Sequence, residues 1–504
     1  MPMERRLMGE ELELGLFVAE SKVGATDHPS SYLLSHLQDC GIKLVVFNGI
    51  IDNFGEIPCA ELERIYYYWL ENGAKLYTDT GDHPEYATPE CQSASEVVAH
   101  DKAAEIILRN LALSARDKVK LNIIKNNVCY APGLKAIDVL NGETSWGLHE
   151  NYLVSSSISP FVSREDQPIN DLIPHLVSRT VYTGAGHIKF DGSDSKYVLS
   201  SRVSFLGKVF GGSTGALKPF IINRSEAHTD ENNFGRVQIA STEANMLELP
   251  IYLKFLTTHL CLRLLEEGWR LPEGFALASP ISVSALNEDL NCKLNLPLVN
   301  GDSVSSIAIQ RMYLEQAQRL SPQSDEERRG LELWAWVLDL LSQDLTQKEN
   351  FKGLVGVLDW ATKLYLIKEN AARHNRSLGD PRILVKNFSY HSLDPSPKES
   401  LWSRICAQDK EKPFICRIVT PADIEEAIRK APKGRAALRG EFIRLAHDFS
   451  SEIVLGAIDW QEARCLVKNI NQVLKIDFGY SNPFAEFSET LEFLKQTLGN
   501  TPNH

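Results

Sequence analysis

A chain of 504 residues exceeds the about 250–300 at which a single hydrophobic core stops growing, so one large domain with a smaller companion is expected. Hydrophobic residues make up 43% and charged residues 24%, an ordinary globular composition. The 53 basic and 66 acidic side chains leave a net charge of −13, which argues against nucleic acid as the default partner.

Nine cysteines are scattered, with no C-x-x-C pair and one left over, the usage expected of reduced thiols in a cytoplasmic protein. The opening M-P-M-E-R-R-L-M-G has no apolar run of signal-peptide length.

In chain order, residues 12–19 (L-E-L-G-L-F-V-A) begin with alternation and predict a strand. Glu11 and Glu13 lie two apart, so a strand puts both on one face and Leu12 and Leu14 on the other. That pair is either a solvent-facing edge or the start of a divalent-metal site. Residues 77–91 (Y-T-D-T-G-D-H-P-E-Y-A-T-P-E-C) gather four carboxylates (Asp79, Asp82, Glu85, Glu90), His83, Tyr77 and Tyr86. The segment opens as a strand and breaks on Gly81 and Pro84. Several oxygen ligands delivered to one place suit a hard cation such as Mg²⁺, and Mg²⁺ usually accompanies phosphate chemistry.

Residues 95–113 carry a helical stripe, and 119–124 and 152–154 read as strands. His149 stands beside Glu150 where the latter strand begins, a structural imidazole or a ligand. Residues 196–205 and 236–240 read as extended. Between them, residues 218–230 mix Lys218, Arg224 and His228 with Glu226 and Asp230; such arginines neutralise carboxylates or clamp phosphoryl groups.

Pro250 and Gly268 bracket a helix whose apolar positions cover much of its surface. Lys254, His259 and Arg263 interrupt it, so it is a core helix and not a membrane span. S-D-E-E at 324–327 predicts a capping box before another core helix. Residues 376–413, with Pro381, Pro395 and Pro397, read as loop and mark the best boundary, dividing the chain into 1–395 and 396–504. Beyond it a strand (414–419), helices (420–430 and 436–447) and a strand pair (453–460 and 474–478) form a small α/β module. P-loop, Rossmann and nucleophile-elbow motifs are absent from the sequence.

Six segments resemble, in order, the Pup ligase and depupylase family, relatives of glutamine synthetase among the carboxylate–amine ligases. M-G-E-E-L-E-L-G (8–15) is similar to its G-x-E-x-E-x-G, and residues 72–91 to its central signature. G-L-H-E-N-Y-L-V (147–154), T-G-A-G (183–186), N-R-S-E-A-H-T-D (223–230) and R-A-A-L-R-G-E-F-I-R (435–444) followed by Asp459-Trp460 complete the series. The resemblance implies an α+β fold: a large glutamine-synthetase-like domain with a curved antiparallel sheet backed by helices, and a small C-terminal domain. It implies Mg²⁺ and ATP on the concave face. Glu11, Glu13, Tyr77, Glu85, His149 and, less securely, Gln238 stand at its metal positions, and Asp79 at its catalytic aspartate. Arg202, Lys218, Arg224, His228, Arg236, Asp459 and Trp460 stand at its nucleotide positions.

The implied activity is ATP-dependent ligation of a C-terminal glutamate side chain, on a small disordered Pup-like modifier, to lysines of target proteins. The alternatives are depupylase-type hydrolysis, or ligation of another carboxylate. Depupylases carry a long insertion before the strand matching residues 77–79, whereas residues 49–66 offer a modest loop and a helix, which favours the ligase. Gln238 replaces a usual histidine, S-E-A-H (225–228) replaces D-E-P-H, and Lys218 replaces an arginine. An amide binds cations more weakly, and lysine lacks arginine's bidentate fork. Arg263, Arg270 or the basic residues of the C-terminal module are candidates to line the modifier's groove.

Overall fold

The computed structural model describes residues 5–22, 28–48, 66–130, 139–140, 143–159, 167–190, 194–212, 217–224, 226–281 and 283–499. The short segment read against the depupylase insertion lies almost wholly outside these residues, as does Ser225.

A nine-stranded sheet organises the large domain. Its strands in chain order are β1 (Met8–Glu13), β2 (Leu44–Asn48), β3 (Tyr66–Leu70), β4 (Lys75–Asp79), β5 (His83–Ala87), β6 (Leu148–Ser155), β7 (Leu206–Gly211), β8 (Lys218–Ile222) and β9 (Phe234–Thr242). They are ordered β7-β8-β9-β6-β1-β5-β4-β3-β2. All pairings are antiparallel except β7 with β8, so the expected α+β fold holds with one parallel edge. Alternation sends Leu12, Leu76, Tyr86 and Tyr152 into the main core, which the helices Ala94–Ser114 and Glu248–Glu266 close from behind. The other face of the same strands is left to build a site.

Several sequence expectations need correction. The strand expected over 12–19 breaks at Leu14: β1 ends at Glu13, and Gly15–Ser21 leaves to pair with Val119–Ile124 in a separate sheet. A side chain at Gly15 would meet Trp146 at 3.0 Å and Asn126 at 3.2 Å, so the crossing point admits only glycine without rearrangement. The extended reading of 196–205 holds for Lys196–Val198 alone. There Ser200 Oγ accepts from Arg202 N, and a 3₁₀ turn, Val203–Phe205, follows; this local hydroxyl bond competes with a strand ladder.

The supposed loop of 376–413 contains two helices, Pro381–Ser389 and Leu401–Glu411, capped by Asp380 and Ser400. Pro381 sits in the first turn, where proline favours a helix. Ile383, Leu401, Trp402 and Ile405 belong to the main core, which runs on to Ile428; a second core takes over at Leu438. Residues 414–419 form no strand. The backbone N–H groups of Phe414 and Ile415 donate to Asp409, and those of Ile418 and Val419 to Glu248, so carboxylates supply the acceptors a neighbouring strand would have offered. In the C-terminal module the strands Ile453–Ile458 and Gln472–Asp477 do not pair with each other; Glu462–Val467 lies between them.

The capping box is half made. Ser324 Oγ accepts from Glu327 N at 3.2 Å. The Glu327 carboxylate accepts from Gln323 N and Arg263 Nη1, both at 2.7 Å, and lies 2.9 Å from His259 Nε2. Arg263 is therefore buried and paired, which removes it from any docking groove; Arg270 is half-exposed and pairs with Asp171.

The helix Arg435–Asp448 seats the module on the large domain through Gly440, where a Cβ would fall 2.5 Å from the Glu71 carbonyl oxygen. Helix propensity alone favours Gly440→Ala by about 1 kcal/mol. The clash with fixed backbone costs about 1–3 kcal/mol and wins. Urea titration should give a lower unfolding midpoint for the variant; a higher midpoint would contradict the close seat.

Candidate active site

Register and alternation assemble the site before any ligand is considered. Glu13 faces Glu85 across β1 and β5, and Glu85 faces Tyr77 across β5 and β4. Glu11 faces His149 across β1 and β6, and Asn151 faces Gln238 across β6 and β9. Side chains two apart on a strand share a face, so Lys75, Tyr77, Asp79, Glu85, Glu11, Glu13, His149, Asn151, Gln238 and Arg236 come from five adjoining strands onto one surface. Among the described residues, one group of three metal-capable side chains forms: Glu13, Asp79 and Glu85, with carboxylate oxygens all within 4.8 Å of one another.

Such crowding is unfavourable. Burial, then the charges of Glu11, Glu13 and Asp79, push the Glu85 carboxyl well above its usual range. Burial and Glu13 push Asp79 up as well. The Tyr77 phenol, buried against Glu85 and Glu11, is also pushed well up and stays neutral. An all-oxygen donor set short of positive charge fits a hard divalent cation such as Mg²⁺.

Glu11 has a different environment. Its Oε2 lies 3.0 Å from His149 Nδ1 and accepts from Gln238 Nε2 at 3.0 Å, while Oε1 accepts from Asn151 Nδ2 at 3.1 Å. Burial alone would raise its pKa; the His149 hydrogen bond and charge, with Arg236 and Asn151, hold it down to about 2. His149 Nε2 and Gln238 Oε1 are buried without a protein partner, leaving acceptors beside the carboxylate group.

A cleft adjoins this surface. Glu11, Asn151, Arg236, His228, Arg435 and Trp460 are among its lining residues. His228 has a left-handed backbone (φ 52°), and burial, Arg236 and Arg435 lower its pKa to about 4, so it is neutral. Arg236 Nη2 lies 3.2 Å from Glu226. Of the positions expected near nucleotide, His228, Arg236 and Trp460 line the cleft, whereas Arg202, Lys218, Arg224 and Asp459 do not.

Arg202 is buried beneath the carboxylates, donating to Ala240 O, Ser145 Oγ and Trp146 O. Lys218 is buried on β8. Arg224 is exposed and donates to Gly212 O at 2.9 Å. Asp459 accepts from the N–H groups of Gln461 and Glu462.

Three side chains were not singled out by the sequence reading. Asn151 falls on the face of His149 by the two-residue period that placed Glu11 with Glu13. By the same period Lys75 joins Tyr77, its Nζ 4.0 Å from the Tyr67 ring centre and 4.5 Å from that of Tyr77. Burial lowers its pKa to about 8 against the raising effect of Glu85. Arg435 carries no local signal, because its position in the cleft depends on how the C-terminal helix docks.

The model of the Pup-ligase protein family matches residues 6–464. The chain belongs to this family. A Pup–protein ligase of Acidimicrobium ferrooxidans is 33% identical over 435 residues, covering 85% of this chain and 89% of that one. Its counterpart from Saccharomonospora viridis is 28% identical, covering 98% of this chain and 100% of that one. A solved complex of the prokaryotic ubiquitin-like protein Pup with its ligase PafA superposes with a TM-score of 0.77 at 25% identity, over 99% of this chain and 94% of that one. PafA in complex with ADP gives 0.71 at 26% identity, over 86% and 90%.

In this Pup-ligase family member the like charges at Glu13, Asp79 and Glu85 should be a measurable burden on the metal-free protein. Glu85→Gln removes the need to protonate or crowd that carboxyl, and should stabilise the EDTA-treated protein at neutral pH by about 1–2 kcal/mol. The same change should shrink the rise in melting temperature on adding Mg²⁺. Differential scanning calorimetry with EDTA and with Mg²⁺ reads both; an undiminished Mg²⁺ response would remove Glu85 from the cation's ligands.

Proposed function

We propose that this protein is an ATP-dependent ligase that joins the side-chain carboxylate of a C-terminal glutamate, on a Pup-like modifier, to lysines of target proteins. One observation carries the reading: the carboxylate cluster and the cleft share a sheet face, in a chain that matches Pup–protein ligases along nearly its whole length. The cleft is assigned to ATP; the similar PafA has been solved in complex with ADP. The sheet face beside it is assigned to the carboxylate and the amine. Among the described residues no helix is long and apolar enough to cross a membrane.

The chemistry follows from what a carboxylate lacks. It does not acylate an amine, because its carbon is electron-rich and oxide is a poor leaving group. Its oxygen attacks the γ-phosphorus of ATP, ADP departs, and the acyl phosphate then has phosphate as leaving group. The lysine ammonium gives a proton to a base, the neutral nitrogen attacks the acyl carbon, and the amide forms as the adduct sheds a second proton and phosphate leaves. Free lysine is protonated near pH ~7, so the base is needed before attack.

Asp79 is assigned that role. Burial and Glu13 raise its proton affinity, which brings a carboxylate nearer the strength a base at neutral pH requires. Glu13 and Glu85 are assigned to hold Mg²⁺, which when bound would offset charge on phosphoryl oxygens, leaving Asp79 beside them to take the proton. Glu11 stays ionised through His149, Asn151 and Gln238, and Arg236 supplies positive charge at the cleft wall.

Asp79→Asn tests that role. As a base lost, it should cut conjugation at least about 100-fold while Mg·ATP binding by calorimetry stays within about threefold. Conjugation is read by intact mass of a lysine-bearing acceptor, which gains the modifier's mass less one water as ADP accumulates. Wild-type conjugation by the variant would exclude Asp79 as base. Cleavage of a preformed conjugate without ADP accumulation by the unaltered protein would place it with the hydrolases instead.

A further inference from the structure

Glu90 lies just beyond β5, and its carboxylate takes no part in the chemistry above. It accepts from Arg435 Nε at 2.7 Å and from Arg439 Nη1 at 3.2 Å, with Nη2 of Arg439 making a second bond. Both arginines belong to the helix Arg435–Asp448 and both are buried. Each also reaches further. Arg435 Nη1 donates to His228 O at 2.6 Å, and Arg439 Nη1 donates to Trp460 O at 2.9 Å. Arg439 Nε and Nη2 donate to Gly73 O at 3.1 and 2.8 Å. Its guanidinium also lies over Trp460 and Trp69, 4.7 and 5.5 Å from their ring centres, which themselves meet edge to face at 5.0 Å.

One carboxylate therefore joins four chain segments whose side chains line the cleft: its own, that of His228, that of Arg435 and that of Trp460. Burial would raise its pKa, but Arg439 and Arg435 hold it down to about 2, so the pair is ionised throughout the neutral range. The module has other attachments. Val45 and Trp69 of the large sheet pack into the second core with Leu438 and Phe442. Lys43 pairs with Asp448 at the surface, where exposure to water leaves such a pair worth little. The core attachment holds the module on without Glu90; the ion pairs fix where His228 and Trp460 stand.

We propose that Glu90 is a positioning residue for nucleotide: through Arg435 and Arg439 it sets the width of the cleft by holding His228 and Trp460 against the sheet. This rests on the reading of the cleft as the ATP site. Loss of the Glu90 charge leaves two buried guanidinium groups with only neutral acceptors, and they relax toward water. The cleft loosens while the carboxylate cluster on the sheet face stays as it was.

The test compares the unaltered protein with Glu90→Gln and, should that variant misfold, with Arg439→Lys, which keeps the charge and loses the fork. Calorimetry with Mg·ADP and steady-state conjugation with a glutamate-ending modifier peptide are the readouts. The dissociation constant for Mg·ADP and the KM for ATP should each rise about tenfold, with kcat and the KM for the peptide within about twofold. Unchanged ADP affinity in a folded variant overturns the assignment. So does a fall in kcat with KM for ATP unchanged, the mark of a merely smaller active fraction. If the unaltered protein itself binds no Mg·ADP, the ATP reading falls and this inference falls with it, an outcome distinct from a variant that binds as well as its parent.

Discussion

Three carboxyl groups whose oxygens lie within 4.8 Å of one another cannot all carry their charge without help, and the large sheet brings them there by backbone register alone. Glu13, Asp79 and Glu85 lie on three adjacent strands whose pairing is fixed by ladder hydrogen bonds and by the hydrophobic opposite face. A slip of one residue would send Leu12, Leu76 and Tyr86 into water, at a cost of several buried side chains. The repulsion is much smaller than that cost, so the fold holds the charges together and leaves them to be neutralised from outside.

The back of the same sheet shows the opposite solution. Glu150, on β6, is bonded by Arg179, Tyr152 and Thr242. Asp101 and Glu105 on the helix behind are met by Lys125 and Lys102. Glu10 is kept protonated by burial and by Asp101. Every one of these carboxyl groups has a cation, a donor or a proton supplied by the chain. Asymmetry between the faces, and not acidity as such, distinguishes a place built for a cation from a core that merely tolerates charge.

What the sequence made legible follows the same division. Glu11 with Glu13, and Tyr77 with Asp79, are paired by the two-residue strand period, which is local and needs no partner to be read. Elements decided by distant partners were hidden. Residues 414–419 look like a strand until Glu248 and Asp409 are seen to hold their N–H groups. The helix at Pro381 looked like loop because proline both starts and breaks helices. The strand Glu462–Val467 did carry a signal, Ala463, Cys465 and Val467 alternating inward, but its charged partners Glu462 and Arg464 masked it. Arg435 and Glu90 could be quoted as motif letters, yet their meeting across 345 positions exists only in the folded chain.

Gln238 shows how a departure from the family pattern can be absorbed. Its amide nitrogen donates to Glu11, beside His149 and Asn151, so this carboxylate stays ionised through these hydrogen bonds and the nearby Arg236 charge. A neutral imidazole carries its one donor and one acceptor on opposite sides of the ring, whereas an amide presents NH₂ and oxygen side by side; here the donor side meets Glu11 and Gln238 Oε1 remains unused. The surface is thus graded along the sheet: the pKa of Glu11 is held down to about 2 by its donors and nearby charge, while those of Glu85, bonded to Tyr77, and Asp79, bonded to Thr80, are still pushed up by burial and by neighbouring carboxylates.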